Sequence, residues 1–307
     1  MTGDRSEARH PGQPGRAGEP GRRPSVTVAA LQIDRVRGDK AANVARAERA
    51  IQAAAARGAR LMGLPELFNT EYFPQELDTR YFEYAETIPG PTTDAIARLC
   101  AELDVWVVAP LFEVDPGSNV FYNSAAVIGP DGVVGRYRKR HIPSIPYGLE
   151  KSYFAPGNVG YPVFETPFGR IGTIICYDRH FPECYRHLAL GGAEVVFTCA
   201  NSPTAFSRRN WLPEMQVNAT ANGIFIVQTN VVGTEGHHTF FGSSAIVGPR
   251  GDTLGQLGDD GPGELVATVD LDEIRLTRLH YGGVRDVVWA DFGLDGAQSP
   301  WLDRAAS

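Results

Sequence analysis

No apolar run in this chain of 307 residues approaches the ~18 needed to span a bilayer, so no membrane-spanning helix is expected. Positive charge is scarce as well. Lys and Arg number 29 against 36 Asp and Glu, a net charge of −7 that argues against nucleic acid or an anionic membrane as the main partner. Cysteine is limited to Cys100, Cys176, Cys184 and Cys199, with no C-x-x-C pair and no zinc-type spacing. Neither a disulfide framework nor a metal site is therefore expected. The first 24 residues are rich in Gly, Pro and Arg and lack the apolar core of a secretory signal. They read as a disordered tail, and the chain as cytoplasmic with free thiols.

What remains is an ordinary globular composition, 43% hydrophobic and 21% charged, in a chain long enough for a sizeable core. Residues 25–32 alternate as a strand does, and residues 40–57 place Val44, Ala47, Ile51 and Ala54 at helical spacing before Gly58. A strand over 60–64, a helix over 92–103, a strand over 105–114 and a hairpin about Pro130-Asp131-Gly132 follow. The second half repeats the plan: strand 170–176, helix 182–190, strand 193–199, helix 208–222, strand 224–230, and a hairpin about Pro249-Arg250-Gly251. The hairpins even resemble each other, Ser124-Ala125-Ala126-Val127-Ile128-Gly129-Pro130 against Ser243-Ser244-Ala245-Ile246-Val247-Gly248-Pro249. An α/β fold is expected, with two related halves whose sheets pair face to face between outer helix layers. One domain should cover residues 25–275, with 276–307 as a C-terminal extension.

Cys176 ends the apolar run Arg170-Ile171-Gly172-Thr173-Ile174-Ile175 and precedes Tyr177-Asp178-Arg179-His180-Phe181-Pro182-Glu183. A thiol at a strand-to-helix corner faces the positive end of the helix, which favours thiolate. The plain alternative is a small core residue, the commoner fate of a single cysteine. Three other segments put charge where a core would not want it. Glu66 closes Leu61-Met62-Gly63-Leu64-Pro65, Lys139 sits in Tyr137-Arg138-Lys139-Arg140-His141-Ile142-Pro143, and Glu150 opens a loop before Tyr153 and Phe154. Taken singly, these read as a loop glutamate, a solvated basic run and a polar loop.

Their order is more specific than any one of them. G-L-P-E, Y-R-K-x-H-I-P and I-C-Y-D-R-H-F-P-E, in that order, resemble the nitrilase superfamily of carbon–nitrogen hydrolases over roughly residues 25–272. The resemblance implies a four-layer α-β-β-α sandwich and a cofactor-free amidohydrolase. It implies Cys176 as nucleophile, Glu66 as its base and later the acid for the leaving group, and Glu150 as a second active-site glutamate. Attack on an amide carbon puts negative charge on the carbonyl oxygen, which Lys139 and the backbone N–H of Tyr177 could receive.

Tyr177-Asp178 after the cysteine is the pattern of amide cleavers, and Arg179-His180-Phe181-Pro182 resembles the branch that removes carbamoyl groups from N-carbamoyl amino acids, β-ureidopropionase-like enzymes included. Arg179 can clamp a substrate carboxylate or form a structural ion pair, with equal weight on each. Asn201 is a further candidate for substrate binding. Relatives commonly carry Asn-Arg before Val-Gly where this chain has Asn230-Val231-Val232-Gly233, so one candidate carboxylate ligand is missing. The expected substrate is a ureido acid, with a simple carboxamide or ω-amide, or acyl transfer to another nucleophile, as the alternative. A homodimer or larger homo-oligomer is implied by the resemblance, with the C-terminal extension at the subunit boundary.

Overall fold

Strand β1 (Ser25–Gln32) shows how the layers are built. Val26, Val28 and Ala30 project into the interior between two sheets, while Ala29 and Leu31 project the other way, onto helices. Period-two alternation with both faces buried needs a layer on each side. The structure is a computed structural model describing residues 25–281 and 283–292. The expected tail over residues 1–24 and the end of the C-terminal extension lie outside the described residues.

The first half runs β1, α1 (Lys40–Ala56), β2 (Leu61–Gly63), α2 (Pro91–Leu103), β3 (Trp106–Val114), β4 (Phe121–Gly129) and β5 (Gly132–Arg138). β1, β2 and β3 are parallel neighbours, and β4 and β5 add antiparallel. The second half runs β6 (Val163–Thr166), β7 (Gly169–Ile175), α3 (Pro182–Leu190), β8 (Val195–Ala200), α4 (Ala205–Asn222), β9 (Phe225–Asn230), β10 (Val232–Glu235), β11 (His238–Phe241), β12 (Ala245–Val247) and β13 (Thr253–Gln256). Here β7, β8 and β9 are parallel and β12 and β13 add antiparallel, the same plan again. β14 (Gly263–Asp270) returns to pair with β1, and α5 (Asp272–Tyr281) follows. The sheet orders are β14-β1-β2-β3-β4-β5 and β13-β12-β9-β8-β7-β6, with β10 and β11 as a separate two-stranded hairpin.

The α/β sandwich of two repeated halves is therefore present. α1 buries Ala47, Ala50, Ile51 and Ala54 on the outer face of the first sheet, capped by the Asp39 carboxylate accepting from the Ala42 N–H at 2.8 Å. Tyr185, Leu188, Trp211 and Met215 from α3 and α4 cover the second sheet. The sheets approach so closely at Gly63 that an added Cβ would stand 2.6 Å from the Phe197 ring. A side chain there would force the buried Phe197 ring to move.

Three features escaped the pattern reading. β6 is a short edge strand, β10–β11 stands apart from both sheets, and β14 is only half buried, so none carries a strong apolar alternation. The boundary expected after residue 275 falls inside α5. Among the described residues, no helix is long and apolar enough to cross a membrane.

Candidate active site

Each of the four strand ends nearest the crevice contributes a polar residue. Glu66 follows β2, Lys139 follows β5, Cys176 follows β7 and Asn201 follows β8. In α/β sheets the carboxyl ends of strands are where side chains can converge without interrupting the ladder. Glu150 enters from the side, on a single 3₁₀ turn over Glu150–Ser152.

Lys139 is fully buried, contrary to the usual fate of a basic run. Its ammonium donates to Glu66 Oε1 at 2.7 Å and to Glu150 Oε2 at 2.6 Å. Burial alone would depress the Lys139 ammonium, but the charges of Glu150, Glu66 and Cys176 outweigh it and hold its pKa above the usual value. Two of its three N–H donors are thus committed, which leaves the third for another acceptor. Glu66 Oε1 also accepts from Asn123 Nδ2 at 2.7 Å, whereas Glu66 Oε2 has no hydrogen-bond partner among the described residues. Glu150 Oε1 accepts from the Tyr72 hydroxyl at 2.9 Å. Burial pushes the Glu150 carboxyl up to about 7, with the Glu66 charge adding and Lys139 opposing.

That shift has a consequence for stability. A carboxyl raised on folding binds more protons in the native state, so its contribution is present below its ordinary value of 4.5 and is lost as pH rises through about 7. Glu150→Gln should remove this dependence. The difference in denaturation midpoint between wild type and Glu150→Gln should therefore move against wild type between about pH 4.5 and 7. Urea titrations of both proteins across that range provide the check, and a pH-independent difference would contradict the assignment.

Cys176 has φ +48, a left-handed conformation rare for a residue with a side chain and one that concentrates at functional sites. It opens a 3₁₀ turn over Cys176–His180, and α3 begins only at Pro182. The sequence expectation of a thiolate favoured by the helix end does not hold. Burial first, then the Glu66 charge, push the thiol up to about 12 against the opposing pull of Lys139 and Arg179. The resting group is a neutral thiol, which needs a base before it can attack. Tyr177 is the second residue of this turn, a position whose N–H has no acceptor within a helical turn.

Asp178, quoted in the motif but given no role there, fixes the corner. Its Oδ2 accepts from Ile175 N at 3.1 Å and the Tyr137 hydroxyl at 2.7 Å, and its Oδ1 accepts from His141 N at 2.9 Å. It thereby ties the cysteine turn to the segment carrying Lys139. Asn123 and Tyr72 were also missed, since a polar residue inside a strand and an aromatic in a loop carry no signal of their own. His141, Asp178 and Cys184 bring a ring nitrogen, a carboxylate oxygen and a thiol within 4.8 Å of one another, a grouping that residue spacing did not show. The first two are hydrogen-bonded to each other at 2.7 Å.

Above Cys176 opens a cavity of about 740 Å³, lined by Tyr72, Glu150, Tyr177, Arg179, Asn201 and Glu214 among others, with Pro143, Ile145, Pro146 and Phe206 as apolar wall. Of the two readings of Arg179, the ion pair is present: Nε lies 3.1 Å from Glu214 Oε2, and the guanidinium stacks over Trp211 at 5.0 Å. Nη1 donates to Ser202 Oγ at 3.2 Å, while Nη2 has no hydrogen-bond partner among the described residues. Asn201 is 4% exposed, yet neither atom of its carboxamide has a hydrogen-bond partner among the described residues. Unpaired buried polar atoms cost stability and call for an explanation in function.

The family description Carbon-nitrogen hydrolase matches residues 27–279. An N-carbamoylputrescine amidase of Solanum lycopersicum is 41% identical over 281 residues, covering 85% of this chain and 91% of the relative. A citrullinase of Francisella tularensis is 35% identical, covering 85% and 95%. A crystal structure of a carbon-nitrogen hydrolase from Helicobacter pylori G27 superposes with a TM-score of 0.82 at 28% identity, covering 88% and 97%. The chain belongs to the carbon-nitrogen hydrolases of the nitrilase superfamily and is an amidohydrolase acting on C–N bonds.

Proposed function

We propose that this enzyme removes the carbamoyl group from an N-carbamoyl (ureido) acid, with Cys176 as nucleophile. The observation that carries the reading is a cavity lined by Cys176 and Glu150, with the Lys139 ammonium bonded to both Glu150 and Glu66 and all three charges acting on the thiol. Glu66 Oε2, the oxygen without a partner, takes the thiol proton as Sγ attacks the ureido carbon. The developing oxyanion is met by the third Lys139 N–H and by the Tyr177 N–H. Glu66 returns the proton to the terminal ureido nitrogen, which leaves as ammonia, and the N-substituted carbamoyl group remains on Cys176 as a thiocarbamate. Water, deprotonated by Glu66, then releases carbamic acid, which decomposes to amine and carbon dioxide. Glu150 holds Lys139 in place, supported from behind by Tyr72.

The names of the relatives support a ureido substrate, and citrulline is itself a ureido amino acid. The carboxylate end of the substrate has the unpartnered donors Arg179 Nη2 and Asn201 Nδ2 available in the cavity wall. A set of N-carbamoyl amino acids, N-carbamoyl amines and plain carboxamides, assayed for ammonia and carbon dioxide together, tests the reading. Equal release of both from ureido acids is expected; ammonia without carbon dioxide would favour the simple amidase. Arg179→Ala should raise KM for anionic substrates at least about tenfold, the worth of one charge-assisted hydrogen bond. An equal rise for neutral ureas would remove Arg179 from substrate binding. The cytoplasmic location and the homo-oligomer belong to the same proposal; exposed Leu276, Leu279 and Tyr281 on α5 suit a subunit contact, which sedimentation of the wild-type protein tests.

A further inference from the structure

The hairpin β10–β11 belongs to neither sheet, yet one of its carboxylates reaches the backbone beneath the reaction centre. Arg35, just beyond β1, has a fully buried side chain. Its Nε and Nη2 grip Glu235 Oε1 and Oε2 at 2.8 and 3.0 Å, a two-pronged pair. Its remaining nitrogen, Nη1, donates to the carbonyls of Glu66 at 3.0 Å and Leu67 at 3.1 Å. Leu67, four residues past the end of β2, has φ +50 and lies in a turn where its carbonyl also accepts from the Thr70 N–H at 3.1 Å. Glu235 Oε2 also accepts from the Tyr72 N–H at 2.8 Å, and the hydroxyl of that tyrosine holds Glu150.

We infer that the Arg35–Glu235 pair is a positioning clamp that aims both active-site glutamates, Glu66 through its own carbonyl and Glu150 through Tyr72. The inference rests on the reading of Glu66 as the base. A rigid fork fixes direction as well as distance, which a lysine or a neutral partner cannot do. Glu66 has one oxygen tied to Lys139 and Asn123, so a rotation of its backbone would swing the free Oε2 away from the thiol. Small displacements of this kind cost rate far more than binding.

Three proteins test the clamp: Glu235→Gln, the paired Arg35→Met/Glu235→Met, and Glu66→Gln as reference. The paired change leaves no buried charge alone, which protects the fold; Glu235→Gln keeps shape and serves if the pair does not fold. Expected for both clamp variants is a kcat lower by on the order of 10–100-fold with KM within about threefold. The rate of Cys176 alkylation by iodoacetamide, followed from pH 6 to 9 (roughly the span over which a base-assisted thiol shows itself), should fall in the same direction as in Glu66→Gln. If Glu66→Gln slows alkylation and the folded clamp variants alkylate and turn over like wild type, the clamp is wrong. If Glu66→Gln itself leaves alkylation unchanged, the base assignment fails instead. A clamp variant that loses only thermal stability, at unchanged kcat, would also overturn the inference.

Discussion

Cys176→Ala should reduce turnover to background, on the order of 10⁶-fold in kcat if the thiol is the nucleophile, as in other hydrolases that work through a covalent intermediate. The fold should survive. The hydrogen-bond contacts of the sulfur among the described residues are weak, the Asn201 carbonyl at 3.7 Å and the Ser202 hydroxyl at 4.0 Å, so its loss leaves a small cavity beside the pocket. Alanine adopts φ +48 no less readily than cysteine. Charge balance is also preserved, because a thiol pushed up to about 12 is neutral at pH 7 in the wild type. Lys139, Glu66 and Glu150 should therefore keep their arrangement, and the thermal midpoint should change by no more than a few degrees. Ammonia release and circular dichroism on the same preparation give both readings. Turnover above about one per cent of wild type would end the nucleophile assignment.

Lys139→Met should lose both activity and stability, and the two losses should be separable. The missing donor to the oxyanion costs ~3 kcal/mol of barrier, roughly 10²–10³-fold in kcat. Independently, two buried carboxylates at 2.6 and 2.7 Å from the ammonium are left without a counter-ion. Breaking a buried pair by removing one partner costs about 3–5 kcal/mol, on the order of 10 °C in a domain of this size. Because protonation relieves uncompensated carboxylates, the variant should regain midpoint as pH falls toward 5 while wild type gains less. Adding Glu150→Gln should restore much of the stability and none of the rate. A Lys139→Met protein as stable as wild type at pH 8 would show that the ion cluster is not buried in solution. A protein with wild-type kcat would remove Lys139 from the chemistry.

The sequence carried the strands and helices of both halves because each buries a face against a partner layer. Such burial forces apolar residues into period two or period 3.6, as in Val26, Val28 and Ala30 or in Ala47, Ile51 and Ala54. Edge elements carried no such imprint: β6 and β14 are half exposed, and β10–β11 packs by its aromatics and by the Glu235 ion pair. The residues that surround the candidate site divide in the same way. Glu66 and Cys176 stood out as reactive groups after apolar strands, and Lys139, in a basic run, only through the order of the three motifs. Asn123, Tyr72 and Arg35 stood out in no way, since their importance comes from what lies across 30 or more residues of chain.

Residue order alone determined the layered α/β architecture, its internal duplication and its place among the carbon-nitrogen hydrolases, because period and motif are written locally. Protonation and pairing were decided only in three dimensions. Folding took Cys176 out of water and beside Glu66, which made it a neutral thiol where the local corner suggested a thiolate. Folding also brought Glu214 to Arg179 and turned a candidate clamp into half of an ion pair with one nitrogen to spare. Charge state depends on burial and on the nearest opposite charge, and both are properties of the assembled chain.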